Sequence, residues 1–154
     1  MIPQERASVG ILLNGRNCLL VKRKEYPGDP WSGNVALPGG HSEPGETALE
    51  TLVREVREEV NLQLSESQIH KQLVGFTPNS RPSLVVYPFV VLVQNFDGAA
   101  PGPEIDQIRI VDLDKRIESR YDGTQLPAFK FGDLVVWGLT YRILHYFIES
   151  EWDH

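Results

Sequence analysis

Cysteine is almost missing from this sequence. Cys18 stands alone among 154 residues, so no disulfide can close within the chain and no cysteine pair is present for a zinc site. A reducing cytosol is the compartment that this usage fits. Long hydrophobic runs are missing too: nothing approaches the roughly twenty apolar residues of a membrane span. The nearest stretch, Leu84 to Val93, is short and contains Pro88, the pattern of a buried strand. Met1 to Ala7 holds no apolar segment of the kind a secretory signal needs, so a cytoplasmic location is expected. A basic excess is also absent, since 15 Lys and Arg stand against 21 Asp and Glu for a formal charge of -6. This balance argues against sequence-independent binding of nucleic acid or of an anionic membrane. An anionic substrate would need a bridging cation or a local basic patch.

What is present reads as one globular domain over residues 1–154, with no repeat, low-complexity tract or linker. Ser8 to Leu13 and Cys18 to Lys22 are β-prone runs around Asn14-Gly15-Arg16-Asn17, a hairpin signal. Lys24 to Ser42 is too dense in Pro and Gly for a regular element and reads as a long, structured and functional loop. Glu46 to Val60 is the clearest helix. At about 100° per residue, Leu49, Leu52, Val53, Val56 and Val60 share one side, and Glu55, Glu58 and Glu59 lie roughly opposite. Asn61 stands where a left-handed residue ends a helix. Lys71 to Phe76, Leu84 to Val93 and Ile105 to Val111 are expected strands, the middle one central, with Pro88 marking a bulge or an unpaired stretch. After a turn at Tyr121-Asp122-Gly123, a largely buried helix is expected from Asp133 to Ile148, with Asp133 as its N-cap.

Glu55, Glu58 and Glu59 sit at i, i+3 and i+4, so three carboxylates crowd one helical surface and destabilise it unless something compensates. Arg54 and Arg57 neutralise part of this charge, and a solvated acidic face is the ordinary alternative. Oxygen-rich carboxylate clusters suit hard divalent cations such as Mg²⁺ or Mn²⁺, and the preceding Gly-rich turn can bring backbone carbonyls alongside.

These residues carry a resemblance. Gly40, then Glu46 after five residues, then Arg54-Glu55-Val56-Arg57-Glu58-Glu59-Val60-Asn61-Leu62 after seven more resembles the Nudix box, G-x5-E-x7-R-E-U-x-E-E-x-G-U with U aliphatic. Only the last glycine departs, being Asn61. A pattern this long on a loop and helix is far more specific than a lone glycine fingerprint. The resemblance implies an α/β fold, a Nudix-type α/β/α sandwich around a mixed β-sheet. It implies a hydrolase that cleaves a nucleoside diphosphate linked to another group, by water attacking phosphorus. It further implies Mg²⁺ or Mn²⁺ held mainly by Glu55 and Glu59, with Glu58 and the Gly40 carbonyl completing the site. Arg54 would orient the glutamates, Glu46 would brace loop to helix, and Glu104 would serve as base or additional ligand.

The flanks bear on the substrate. Leu19 to Arg23, Gly33 to Gly40 and Val136 to Thr140 resemble the coenzyme A pyrophosphatase branch, although the second arginine of that signature is missing from Tyr26-Pro27-Gly28-Asp29. Arg23 is expected to contact phosphate and Arg81 a second phosphate. Trp31, Phe76 and Tyr87 are candidates to stack on a base, whereas His41 reads as a surface residue. ADP-ribose and modified nucleoside triphosphates are the alternative substrates. A catalytically silent nucleotide-binding module is the alternative from another class, against which the intact glutamates argue. The expected partners are a small-molecule nucleotide, no nucleic acid and no membrane, with a homodimer left open.

Overall fold

The computed structural model describes residues 4–28 and 33–152. Strands β1 (Glu5–Asn14) and β2 (Asn17–Arg23) form the expected hairpin, closed at the pair Asn14↔Asn17. They then part, and each recruits other neighbours. β1 runs parallel to β6 (Leu84–Leu92) from Glu5↔Leu84 to Leu13↔Leu92, while β2 runs antiparallel to β7 (Ile105–Asp112). Two short strands, β3 (Val35–Ala36) and β4 (Gly39–His41), lie inside the long loop and pair with β2 and β1. With β5 (Ile69–Gln72) outside β6, the result is a seven-stranded mixed sheet in the order β3-β2-β1-β6-β5, with β4 beside β1 and β7 beside β2.

Strand alternation sends successive residues to opposite faces of this sheet, and each face carries one helix. Helix α1 (Ala48–Val60) buries Leu52, Val56 and Val60 against Leu12, Leu19, Val21, Phe89 and Val91. Burying each such side chain is worth about 1.5–3 kcal/mol. Helix α2 (Gly138–Ser150) buries Ile143, Leu144 and Phe147 against Ile11, Leu13, Leu20 and Phe129. This is the expected α/β/α sandwich. Among the described residues no helix is long and apolar enough to cross a membrane.

Pro88 sits where the β5 ladder fails, as a missing N–H requires. Its carbonyl still accepts from Leu73 N, but regular pairing ends at Gln72 and resumes only in the isolated bridge Phe76↔Val86. The expected strand Lys71–Phe76 is therefore cut short and begins earlier, at Ile69.

The C-terminal expectation needs correction. Asp133 caps no helix. Gly132, at φ 60°, and Asp133 form a two-residue turn between β9 (Pro127–Phe131) and β10 (Leu134–Trp137), which with β8 (Ile117–Arg120) make a second sheet. Asp133 instead binds Arg109 Nη2 at 2.7 Å. Leu134-Val135-Val136-Trp137 is rich in β-branched residues, which pack readily on a pleated surface, and a strand partner was available in β9.

Candidate metal and nucleotide site

The site begins at the α1 N-terminus. Thr47 caps the helix through a capping box, its hydroxyl accepting from Glu50 N at 3.1 Å while Glu50 Oε1 accepts from Thr47 N at 2.9 Å. The preceding residue, Glu46, reaches over the first turns of the helix to Thr51 and Arg54. Its carboxylate takes a bidentate grip on Arg54, Nε to Oε2 at 2.7 Å and Nη2 to Oε1 at 3.0 Å. It also accepts from Glu43 N at 2.8 Å and Thr51 Oγ1 at 3.0 Å. Hydrogen bonding from Arg54, before any other cause, holds the Glu46 carboxyl down to about 2.

Fixed in this way, Arg54 spends its remaining donors on the acidic face. Nη1 reaches Glu55 Oε1 at 2.8 Å and Glu58 Oε2 at 3.3 Å, and Nη2 donates to the His41 carbonyl at 3.0 Å. The guanidinium thus ties the loop carrying β4 to the helix. Glu59 Oε1 accepts from Gly39 N at 3.0 Å. The Glu55 carboxylate lies against Gly40 so closely that a Cβ there would come within 2.6 Å of its Cδ. Glu55 and Glu59 therefore meet at the Gly39-Gly40 pair, as the box spacing requires. Glu58 lies further out, with its side chain 58% exposed.

Burial raises the Glu55 carboxyl above its ordinary value and pushes Glu59 up to about 7. The charge of Glu55 adds to the second shift, and Glu104 contributes to both. Glu104 therefore belongs electrostatically to this cluster, as does Arg23, whose charge partly offsets the rise on Glu59 and which lies 3.9 Å from Glu104. Glu104 arrives through a loop that closes over the α1 C-terminus, where Ala100 N and Gly102 N donate to Val60 O and Glu59 O.

Among the described residues no three acidic, imidazole or thiol side chains converge on one point, and Arg54 Nη1 lies between Glu55 and Glu58. The donor set nevertheless fits a hard divalent cation. It is all oxygen, and it is held in place by Arg54 and the Gly39 N–H. His41 contributes only its carbonyl to this network.

A cavity of about 330 Å³ adjoins Gly39 and Gly40 on the α2 side of the sheet. Arg23, Arg81, Trp137 and Leu139 are among its walls, so the two sequence flanks do meet. The aromatic expectations fare worse. Tyr87 faces the opposite side of β6, packed with the α1 core, because its neighbour Val86 takes the cavity side. Phe76 is edge-packed on Tyr146, with ring centroids 5.7 Å apart. Trp31 lies outside the described residues. Trp137, absent from those base-stacking candidates, is the aromatic among the described residues that does line the cavity. Arg81 reaches the cavity but binds Glu5 at 2.9 Å.

The Glu59 shift fixes a sign for pH dependence. Between about 4.5 and 7 the metal-free folded protein keeps a proton that the unfolded chain has released, so this group's contribution to stability falls as pH rises through that window. Melting of the chelator-treated protein between pH 5 and 7.5 should show this slope, and Glu59→Gln should flatten it.

A family model described as the NUDIX domain matches residues 4–127. An ADP-ribose pyrophosphatase of Methanocaldococcus jannaschii is 47% identical over 53 residues, which are 34% of this chain and 30% of that protein. A MutT/nudix family protein from Enterococcus faecalis superposes with a TM-score of 0.71 at 18% identity, covering 97% of this chain and 64% of that one. A bifunctional NMN adenylyltransferase/ADP ribose pyrophosphatase from Francisella tularensis, complexed with AMP and a Mn ion, superposes with a TM-score of 0.68 at 18% identity, covering 97% and 42%. The match thus spans about a third of the curated relative's length and less than two thirds of either structural neighbour. The structural likenesses are those of fold.

Proposed function

The chain belongs to the Nudix family, and on that footing we propose that it is a divalent-cation-dependent pyrophosphohydrolase acting on a nucleoside diphosphate derivative of the ADP-ribose kind. The observation that carries this reading is the Glu46–Arg54 grip, which holds Glu55 and Glu58 while Gly39 holds Glu59, beside a cavity of about 330 Å³.

Glu55, Glu58 and Glu59 with the Gly40 carbonyl would hold the cation. When bound, Mg²⁺ or Mn²⁺ neutralises phosphoryl oxygens and lowers the pKa of a coordinated water. Arg54 acts by position, since Glu46 fixes its plane and it in turn fixes two of the glutamates. Arg23 projects from the end of β2 into the cavity wall and takes a phosphate oxygen. Glu104, with a side chain 72% exposed beside Arg23, would accept a proton from the attacking water.

The named activity of the M. jannaschii relative, 47% identical over 53 residues, supports ADP-ribose as the substrate class. Coenzyme A is the second reading, favoured by the way Gly40, Trp137 and Leu139 from its resembling flanks line one cavity. Incubation with ADP-ribose, coenzyme A, dephospho-coenzyme A and a modified nucleoside triphosphate, with and without Mg²⁺ or Mn²⁺, separates these readings. Cation-dependent release of AMP from ADP-ribose, at a kcat/KM above the others, is the expected result. Release of 3′,5′-ADP from coenzyme A alone would transfer the assignment to the second reading, and no cleavage of any compound would reject hydrolysis.

A further inference from the structure

We propose that Glu5, by holding Arg81 in an ion pair at the rim of the cavity, sets the site against nucleotides that carry an additional phosphate on the ribose; this rests on reading the cavity as the nucleotide half of the site. The floor of the cavity is a row of small and apolar residues, Ala7 and Val9 from β1 and Leu84 and Val86 from β6. Alternation along β1 puts Glu5 on the same face as Ala7 and Val9, and its partner in register is Leu84. Glu5 therefore continues the floor to its edge. There Arg81 Nη2 lies 3.0 Å from Glu5 Oε1 and 2.9 Å from Oε2, both side chains being 44% exposed and open to a ligand.

The position along the strand gives the pair its meaning. Gly40 is paired with Ser8, and Glu5 stands three residues further along β1, roughly 10 Å at the rise of an extended strand. The ribose hydroxyls lie closer than that to their own 5′-phosphate, and the long Arg81 side chain, which lines the cavity, covers the remainder. A phosphate bound at the glycine end, near Arg23, places the ribose edge toward Glu5 and Arg81. An unmodified diol suits a carboxylate and a guanidinium side by side, donating to the first and accepting from the second. A phosphate monoester there meets Arg81 already engaged and the Glu5 carboxylate at close range, a like-charge contact that cancels the gain from the guanidinium.

Calorimetric titration with adenosine 5′-monophosphate and adenosine 3′,5′-bisphosphate tests this, since neither has a pyrophosphate bond to hydrolyse. The quantity read is the ratio of the two dissociation constants. The native protein should bind the monophosphate at least as tightly as the bisphosphate. Glu5→Gln should shift the ratio about tenfold toward the bisphosphate, and adding Arg81→Gln should abolish the shift. An unchanged ratio in Glu5→Gln, a shift that survives without Arg81, a native preference for the bisphosphate, or no binding of either nucleotide would each overturn the proposal. Failure of the underlying reading shows separately, as lack of ADP-ribose hydrolysis.

Discussion

Replacing Glu55 or Glu59 by Gln should lower kcat/KM for the proposed hydrolysis of ADP-ribose by roughly two orders of magnitude or more, the scale of removing a principal electrostatic group from an active site. The amide keeps the shape of the carboxylate, so the Gly39 N–H to residue 59 and the Arg54 contact to residue 55 can both persist. What disappears is the negative charge that would hold a cation. Stability moves the other way. Burial opposes ionisation at both positions and the Glu55 charge raises Glu59, so the metal-free variants should melt no lower than the native protein. Glu58→Gln should cost less, because that side chain is 58% exposed and makes its Arg54 contact at 3.3 Å. Steady-state kinetics with Mg²⁺ titration, alongside thermal melts in chelator, supply both readings. Native rates in either buried variant, with the cation still required, would remove these glutamates from the mechanism.

The acidic face was legible from sequence because its geometry is local. Residues at i, i+3 and i+4 share a helical surface whatever the rest of the chain does. The C-cap was legible for the same reason: Asn61 is at φ 60°, as a helix-ending Asn should be, and its side chain adds a bond to Gly98 O at 3.2 Å that no pattern announced. The brace from Glu46 to Arg54 came through the family resemblance, and the structure gives its physical form, a planar two-point contact at the foot of a capping box. Thr47-x-x-Glu50 was itself a readable signal for the true first turn.

The remainder depended on pairing, which sequence does not display. Whether Tyr87 or Val86 faces the cavity is decided by the register of β6 on β1, and a one-residue change exchanges the two faces. Leu134 to Trp137 is apolar on all sides, so it satisfies a buried helix as well as a strand until β9 is seen beside it. Arg81 and Glu5 lie 76 residues apart. An arginine read in isolation looks like a free phosphate ligand, and only the parallel pairing of β1 with β6 brings its carboxylate within reach. Glu104 was placed in the site by analogy, and the reason it reaches the helix is the loop that lays Gly102 over the Glu58 carbonyl, where a Cβ would come within 2.1 Å.

Gly39→Ala should unfold the site from its scaffold, whereas Gly40→Ala should disable it in place. Gly39 has φ 153°, and a Cβ there would lie 2.0 Å from Ser8 O and 2.6 Å from Val9 Cα, backbone atoms of β1 that cannot turn aside. β4 would have to leave β1, breaking the pairing of Val9 with Gly39 and the support of Glu59 by the Gly39 N–H. A loss of about 3–5 kcal/mol follows from strain and lost pairing together, or on the order of 10 °C in Tm for a chain of this size. At Gly40 the obstacle is different in kind. The added methyl meets the Glu55 carboxylate at 2.6–2.9 Å, the far end of a side chain that can swing away. The fold should then hold, with Tm within a few degrees, while displacement of Glu55 lowers kcat/KM by about tenfold to a hundredfold. Thermal melts and cation-dependent hydrolysis of the two variants, measured side by side, check this division. A Gly40→Ala protein with native kinetics would mean that the close seat of Glu55 on the glycine does not position it for the reaction. Equal losses of Tm in both variants would mean that the two glycines serve the backbone alone.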